Sequence, residues 1–116
     1  MDAKQTKDVI VELLKEKKAS DITVIDVAEQ TIVTEYFVIA TGKSTTQVKA
    51  LTDFLDEKGE ERGLDAPLRR DGVREGRWVV IDYGSVIVHV FNDATRDFYR
   101  LEQLWGNGAN VTKIED

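Results

Sequence analysis

The chain has 116 residues, 41% hydrophobic and 33% charged, with a net charge of −6 and no cysteine. That length argues for one domain spanning residues 1–116 that buries roughly two-thirds of its unfolded surface, and the composition excludes disulfides, thiolate metal sites and any apolar run near the ~20 residues of a membrane span. The acidic balance argues against naked nucleic acid as a primary ligand, because gripping phosphates takes a basic stripe, and it leaves a basic protein partner open.

Residues Lys4 to Lys18 carry Val9, Ile10, Leu13 and Leu14 with charges between, which is helical spacing. The segment lacks the unbroken apolar core and small-residue cleavage site of a secretory signal, so the cytoplasm is the expected location. Its KEKK run, Lys15 to Lys18, places cations where they suit the end of a helix dipole. Ser20-Asp21 then breaks to ITVIDV, a β-branched strand, and AEQT turns the chain into TEYFVIATG, a second strand apolar enough to be central.

Gly42 ends that strand. Ser44 with Gln47 three residues on matches a capping box, opening a helix with Val48, Leu51, Phe54 and Leu55 inside and Gly63 as its stop. After Pro67, LRR reads as a short strand and DGVREG as a connection. WVVIDYGSVIVHVF, Trp78 to Phe91, supplies two more strands, and NDATRDFYRLEQLW a last helix capped by Asn92 or Asp93 and closed by Gly106. That helix is expected to bury Phe98, Leu101, Leu104 and Trp105. The tail from about residue 107 shows little that would pack and is expected to be mobile. The whole is an α/β (α+β) chain: a mixed sheet of about five strands flanked by helices, with a right-handed strand–helix–strand crossover.

Three stretches resemble catalytic motifs and each falls short. TGKST, Thr41 to Thr45, resembles the end of a Walker loop, but the glycine required five positions before Gly42 is Phe37, so a strand end followed by a capped helix is the simpler reading. Lys43 and the helix start remain able to attract an anion. A nucleotidyltransferase needs carboxylates side by side, and on a strand same-face neighbours are two apart. Asp26 is followed two on by Ala28, and Asp82 by Gly84. With one histidine, no cysteine and no G-x-S-x-G elbow, neither a nucleophilic triad nor a zinc site is supported. No catalytic residue, cofactor or metal ligand is assigned.

The hairpin can be read in register. Gly84-Ser85 suits a two-residue type II′ turn, which pairs Tyr83 with Val86, Asp82 with Ile87, Ile81 with Val88, Val80 with His89, Val79 with Val90 and Trp78 with Phe91. One face, Val79, Ile81, Tyr83, Val86, Val88 and Val90, is a core surface. The other holds Trp78, Val80, Asp82, Ile87, His89 and Phe91, on which Asp82 and His89 are diagonal neighbours within reach of a hydrogen bond. A satisfied structural pair, a partner-binding surface and catalysis all remain open for them.

EYFVIATGKSTTQV, WVVIDYGSVIVHVF and FYRLEQLW, in this order and spacing, resemble the ribosomal silencing factor family, also called Iojap-like. The resemblance covers nearly all of Ile22 to Trp105. It implies a nucleotidyltransferase-like fold lacking the catalytic carboxylates, and a non-enzymatic role. In that role the protein binds protein fourteen of the large ribosomal subunit, blocks joining of the small subunit and lowers translation when nutrients are scarce. It also implies homodimers off the ribosome. Carried over by position, the resemblance implies a partner contact through Trp78, Asp82, Tyr83, His89 and Phe91, although the pairing puts Tyr83 on the face opposite Trp78. The chain departs from the family at Glu35, where Asp is frequent, at Asp71, where Glu precedes the glycine, and at Ser85, where the turn frequently carries Asp. The last change removes a charge beside the implied contact. The competing reading is a divergent nucleotidyltransferase or nucleotide-binding enzyme using Gly42, Lys43, Ser44 and Asp82.

Overall fold

The structure is a computed structural model that describes residues 1–93 and 101–115. Helix α1 spans Ala3–Glu16. It starts at a capping box: the Asp2 carboxylate accepts from the Gln5 N–H at 2.7 Å, and the Gln5 side chain accepts from the Asp2 N–H at 2.9 Å. It stops two residues before the spacing suggests, because Lys18 turns left-handed at φ 64°. There the Lys18 N–H bonds to the Lys15 carbonyl and the Ala19 N–H to that of Leu14, a Schellman closure.

Strand β1 spans Ser20–Asp26 and β2 spans Tyr36–Gly42; from Phe37 onward β2 is buried on both faces, as a central strand must be. Helix α2 spans Thr45–Glu61. Only half of its expected capping box forms: Ser44 Oγ accepts the Gln47 N–H at 3.1 Å, but the Gln47 side chain accepts from Lys43 rather than from the cap residue. Gly42 is required by close approach, since a Cβ there would sit 2.9 Å from Val48 Cγ2. The helix ends in a second Schellman closure, Gly63 N–H to Glu60 and Leu64 N–H to Gly59. Phe54 packs at the rim of the core with Lys17 Nζ 5.3 Å from its ring centre, while Val48, Leu51 and Leu55 are fully inside.

The remaining elements are β3 (Arg69–Asp71), β4 (Trp78–Asp82), β5 (Val86–Asn92), a short helix α3 (Leu101–Trp105) and β6 (Val111–Lys113). The sheet has six strands in the order β3-β4-β5-β2-β1-β6, one more than the sequence pattern supplies. Among the described strands only the central β2–β5 pair is parallel. The extra strand lies in the tail that showed little to pack. It pairs with β1 from Thr23 to Ile25, and the Ile114 N–H bonds to the Ile22 carbonyl at 2.8 Å. Half of the proposed last helix, residues 94–100 with Phe98 among them, lies outside the described residues. Within the described part Leu101 is buried and Trp105 half-buried, whereas Leu104, expected inside, is 72% exposed.

Two cores result, one on each face of the sheet. Helices α1 and α2 cover the first, which holds Val38, Ala40, Val79, Ile81, Val86, Val88 and Val90. The second holds Ile25, Val27, Phe37, Ile39 and Phe91 beneath Leu101 and Trp105. Each aliphatic side chain so enclosed stabilises the fold by roughly 1.5–3 kcal/mol before entropy is counted. Among the described residues the second face has less helix over it, and Trp78, Val80 and Ile87 at its β4 end are half-buried.

Candidate functional site

The β4–β5 register is the one the turn dictates: Trp78 opposes Phe91, Val80 opposes His89 and Asp82 opposes Ile87. Gly84 takes φ 88°, the positive angle that the first central position of a type II′ turn needs. Strand β3 extends the same surface, with Arg69 opposite Asp82 and Asp71 opposite Val80. Directly opposed residues share a face, so Trp78, Val80, Asp82, Ile87, Arg69 and Asp71 form one patch at the β4 end of the second face. Trp78, Val80 and Ile87 are each half-buried, and Asp71 is exposed.

Beneath the patch lies an aromatic cluster. Trp78 stacks on Phe91 with ring centres 5.1 Å apart, Phe37 meets His89 edge-on at 5.2 Å, and Trp105 meets Phe37 edge-on at 5.1 Å. These offset and edge-to-face geometries are the ones ring quadrupoles favour. Phe91 is 1% exposed and His89 8%, so both, expected to touch the partner, support the surface from below instead of forming it.

The Trp78 indole N–H donates to His89 Nδ1 at 3.1 Å. Indole nitrogen can only donate, so Nδ1 must be the acceptor and the imidazole is neutral with its proton on Nε2. That Nε2 has no hydrogen-bond partner among the described residues. Burial pushes the pKa of His89 down to about 4, because a charged ring would lose its hydration. Asp82 is engaged elsewhere: Oδ1 accepts the Gly84 N–H at 2.8 Å, and Oδ2 lies 3.8 Å from Arg69 Nε. The Asp82–His89 bond that spacing permits is therefore not made. Asp82 closes the turn and His89 anchors an indole. The pair with Arg69 is loose and solvated, and such pairs contribute little.

Tyr83 sits on the opposite face, as the pairing requires, packed against the first core. Its hydroxyl is buried with no hydrogen-bond partner among the described residues, in a cleft of about 430 Å³ lined by Leu55, Asp56, Leu64, Pro67 and Arg70 among others. Burial, reinforced by the Asp56 carboxylate, pushes its pKa up to about 12. The structure thus brings Trp78, Asp82, His89 and Phe91 together and sets Tyr83 apart, around the turn.

The hairpin register already placed Val80 and Ile87 on this face, although neither was named as a contact residue. Asp71 was missed, because its place in the patch required the β3–β4 register. Sequence reasoning also missed Ile32, Val33 and Leu68, all largely exposed. They cluster at the turn end of the sheet, where Ser85 accepts from the Glu35 and Tyr36 N–H groups and Leu68 lies beside Gly84.

The two candidate metal-binding carboxylates are far apart. Asp26 and Asp82 lie on strands separated by three inter-strand steps, about 14 Å, against the ~4 Å of a two-metal centre. Among the described residues no group of three or more His, Cys, Asp or Glu side chains is placed to hold a metal ion. No helix among them is long and apolar enough to cross a membrane.

Comparison with known proteins agrees with the fold. The family model described as "Ribosomal silencing factor during starvation" matches residues 1–116. The ribosomal silencing factor RsfS of Bacillus subtilis is 35% identical over 107 residues, covering 92% of this chain and 90% of that protein. A mouse protein named mitochondrial assembly of ribosomal large subunit protein 1 is 35% identical over 100 residues, covering 84% of this chain and 44% of its own length. A crystal structure of a Chromobacterium violaceum protein superposes with a TM-score of 0.86 at 37% identity, covering 91% of this chain and 88% of that one.

Proposed function

Because the chain belongs to the ribosomal silencing factor family, we propose that it binds the large ribosomal subunit through protein fourteen and sterically keeps the small subunit from joining, repressing translation in the cytoplasm under nutrient limitation. The observation that carries the reading is the half-open patch around Trp78. An aromatic ring beside Val80 and Ile87, rimmed by Asp71 and Asp82, has the composition of a protein-binding surface. Trp78 supplies the anchor, and Asp82 sets the turn that presents it. His89 and Phe91 hold the ring from beneath, and Tyr83 shapes the far side of the same turn. A net charge of −6 suits a basic partner, steering encounter more than adding affinity. The mouse relative's name, which refers to the ribosomal large subunit, supports that choice of subunit. Off the ribosome, two copies of the chain pair as a homodimer. No enzymatic step is part of the proposal.

Co-sedimentation with isolated large and small subunits tests it. The chain is expected to pellet with large subunits only. Trp78→Ala is expected to stay folded and to weaken binding at least ~30-fold, the loss typical of a central aromatic anchor. Normal co-sedimentation of a folded Trp78→Ala variant would remove the patch from consideration, and no pelleting of the wild type would remove the function.

A further inference from the structure

Two basic segments that are distant in the chain meet in space. The KEKK run closes α1, and TGKST joins β2 to α2. Between them lies an open cleft of about 620 Å³ lined by Lys15, Lys18, Ala19, Ser20, Lys43 and Gln47. Three lysines line one volume with no carboxylate among its lining residues, in a chain whose net charge is −6. None of the three makes an ion pair with another described residue.

Local structure accounts for only part of this gathering. Lys15 and Lys18 follow the ordinary preference for cations at the end of a helix. Lys43 runs against that preference, since it stands at the start of α2, beside the positive end of the dipole. Lys18 occupies a left-handed position, φ 64°, where glycine is the usual residue. The walls are tied together by Gln47, whose Oε1 accepts the Lys43 N–H at 2.6 Å and whose Nε2 donates to the Lys18 carbonyl at 3.3 Å. Like charges are thus collected on a hydrogen-bonded frame that joins two elements.

We infer that this cleft is an anion site that takes a phosphate group. Lys15, Lys18 and Lys43 supply point charges, which is how ammonium groups bind phosphate, and Ser20 supplies a hydroxyl donor. The cleft fits a phosphate or pyrophosphate; three lysines around one volume of about 620 Å³, in a chain of net charge −6, do not make a track for a long nucleic acid. The phosphate comes either from a free phosphate compound or from one step of an RNA backbone. The site uses none of the residues around Trp78, and it stands whether or not the chain docks on the ribosome.

The test is a titration of the full-length, isotope-labelled chain with pyrophosphate, followed by amide NMR shifts and compared with sodium chloride at matched ionic strength. Saturable shifts centred on Lys18, Ala19, Ser20, Lys43 and Gln47 are expected. The double variant Lys18→Gly with Lys43→Gln should weaken binding at least tenfold and still fold, because glycine accepts the left-handed backbone freely. A control, Lys4→Gln with Lys113→Gln, removes the same charge elsewhere and should bind normally. A short single-stranded RNA distinguishes the sources: binding that falls steeply with salt assigns the phosphate to an RNA backbone, and a response to pyrophosphate alone assigns it to a free compound. Shifts no larger than those with chloride, or unchanged in the Lys18→Gly, Lys43→Gln variant, overturn the site.

Discussion

Acidification should destabilise the fold through His89 in a pH window that begins well above the range in which carboxylates titrate. In the native state burial holds its pKa at about 4, against an ordinary 6.5. The unfolded chain therefore binds the proton more readily than the folded one between those values. Stability from the neutral ring is complete above pH 6.5 and is lost as pH falls toward 4. Linkage gives a loss of about 2 kcal/mol at pH 5 and about 3 kcal/mol at pH 4. No large solvent correction applies, since the residue is 8% exposed. The structural cause is burial, since a charged ring would lose its hydration; protonation also puts a hydrogen on Nδ1, which must then face the Trp78 N–H that it formerly accepted. The assay is urea unfolding of the wild type and of His89→Asn from pH 7 to pH 4. Asparagine keeps an acceptor and does not titrate, and the carboxylate contribution cancels in the comparison. The wild type should lose stability relative to the variant as the pH is lowered from 6.5. Parallel curves across that interval would refute the reasoning, as would an NMR titration of His89 with a midpoint near 6.5.

Other expectations concern packing and the proposed contact. Phe91→Ala removes a 1% exposed ring from the second core and should cost about 3–5 kcal/mol, measured by chemical unfolding. Gly42→Ala forces a methyl to within 2.9 Å of Val48 Cγ2 and should cost about 1–3 kcal/mol, read as a lower melting temperature. Trp78→Ala separates contact from core: a folded variant that fails to pellet with large subunits supports the docking patch, whereas loss of cooperative unfolding would make the ring structural.

Much of the fold was legible because its determinants are local. The apolar stripe of α1, the Ser44 cap, the Gly63 stop and the two-residue Gly84-Ser85 turn all act within a few positions of the chain. Turn geometry fixes hairpin register, and a one-residue slip would have turned Val79, Ile81, Val88 and Val90 away from α1 and α2. Strand β6 was not legible: Val111–Lys113 is too short to show alternation, and it is a strand only because β1 offers an edge. Leu104 misled for a related reason, since helical spacing says which residues share a face but not whether a partner covers it.

For the candidate site the division is sharper. The sequence by itself determined that Trp78, Asp82, His89 and Phe91 share a face and that Tyr83 does not, because a strand alternates with a period of two. Only the tertiary structure decided what each does. His89 and Phe91 lie inside because β2 brings Phe37 and Ile39 alongside them, and α3 brings Trp105 over Phe37. Asp82 is occupied by its own turn, so the histidine's partner became an indole. Lys18 and Lys43 meet only because α1 ends where α2 begins. Backbone periodicity is written along the chain, whereas the partner of a buried polar atom depends on strands and helices from elsewhere in it.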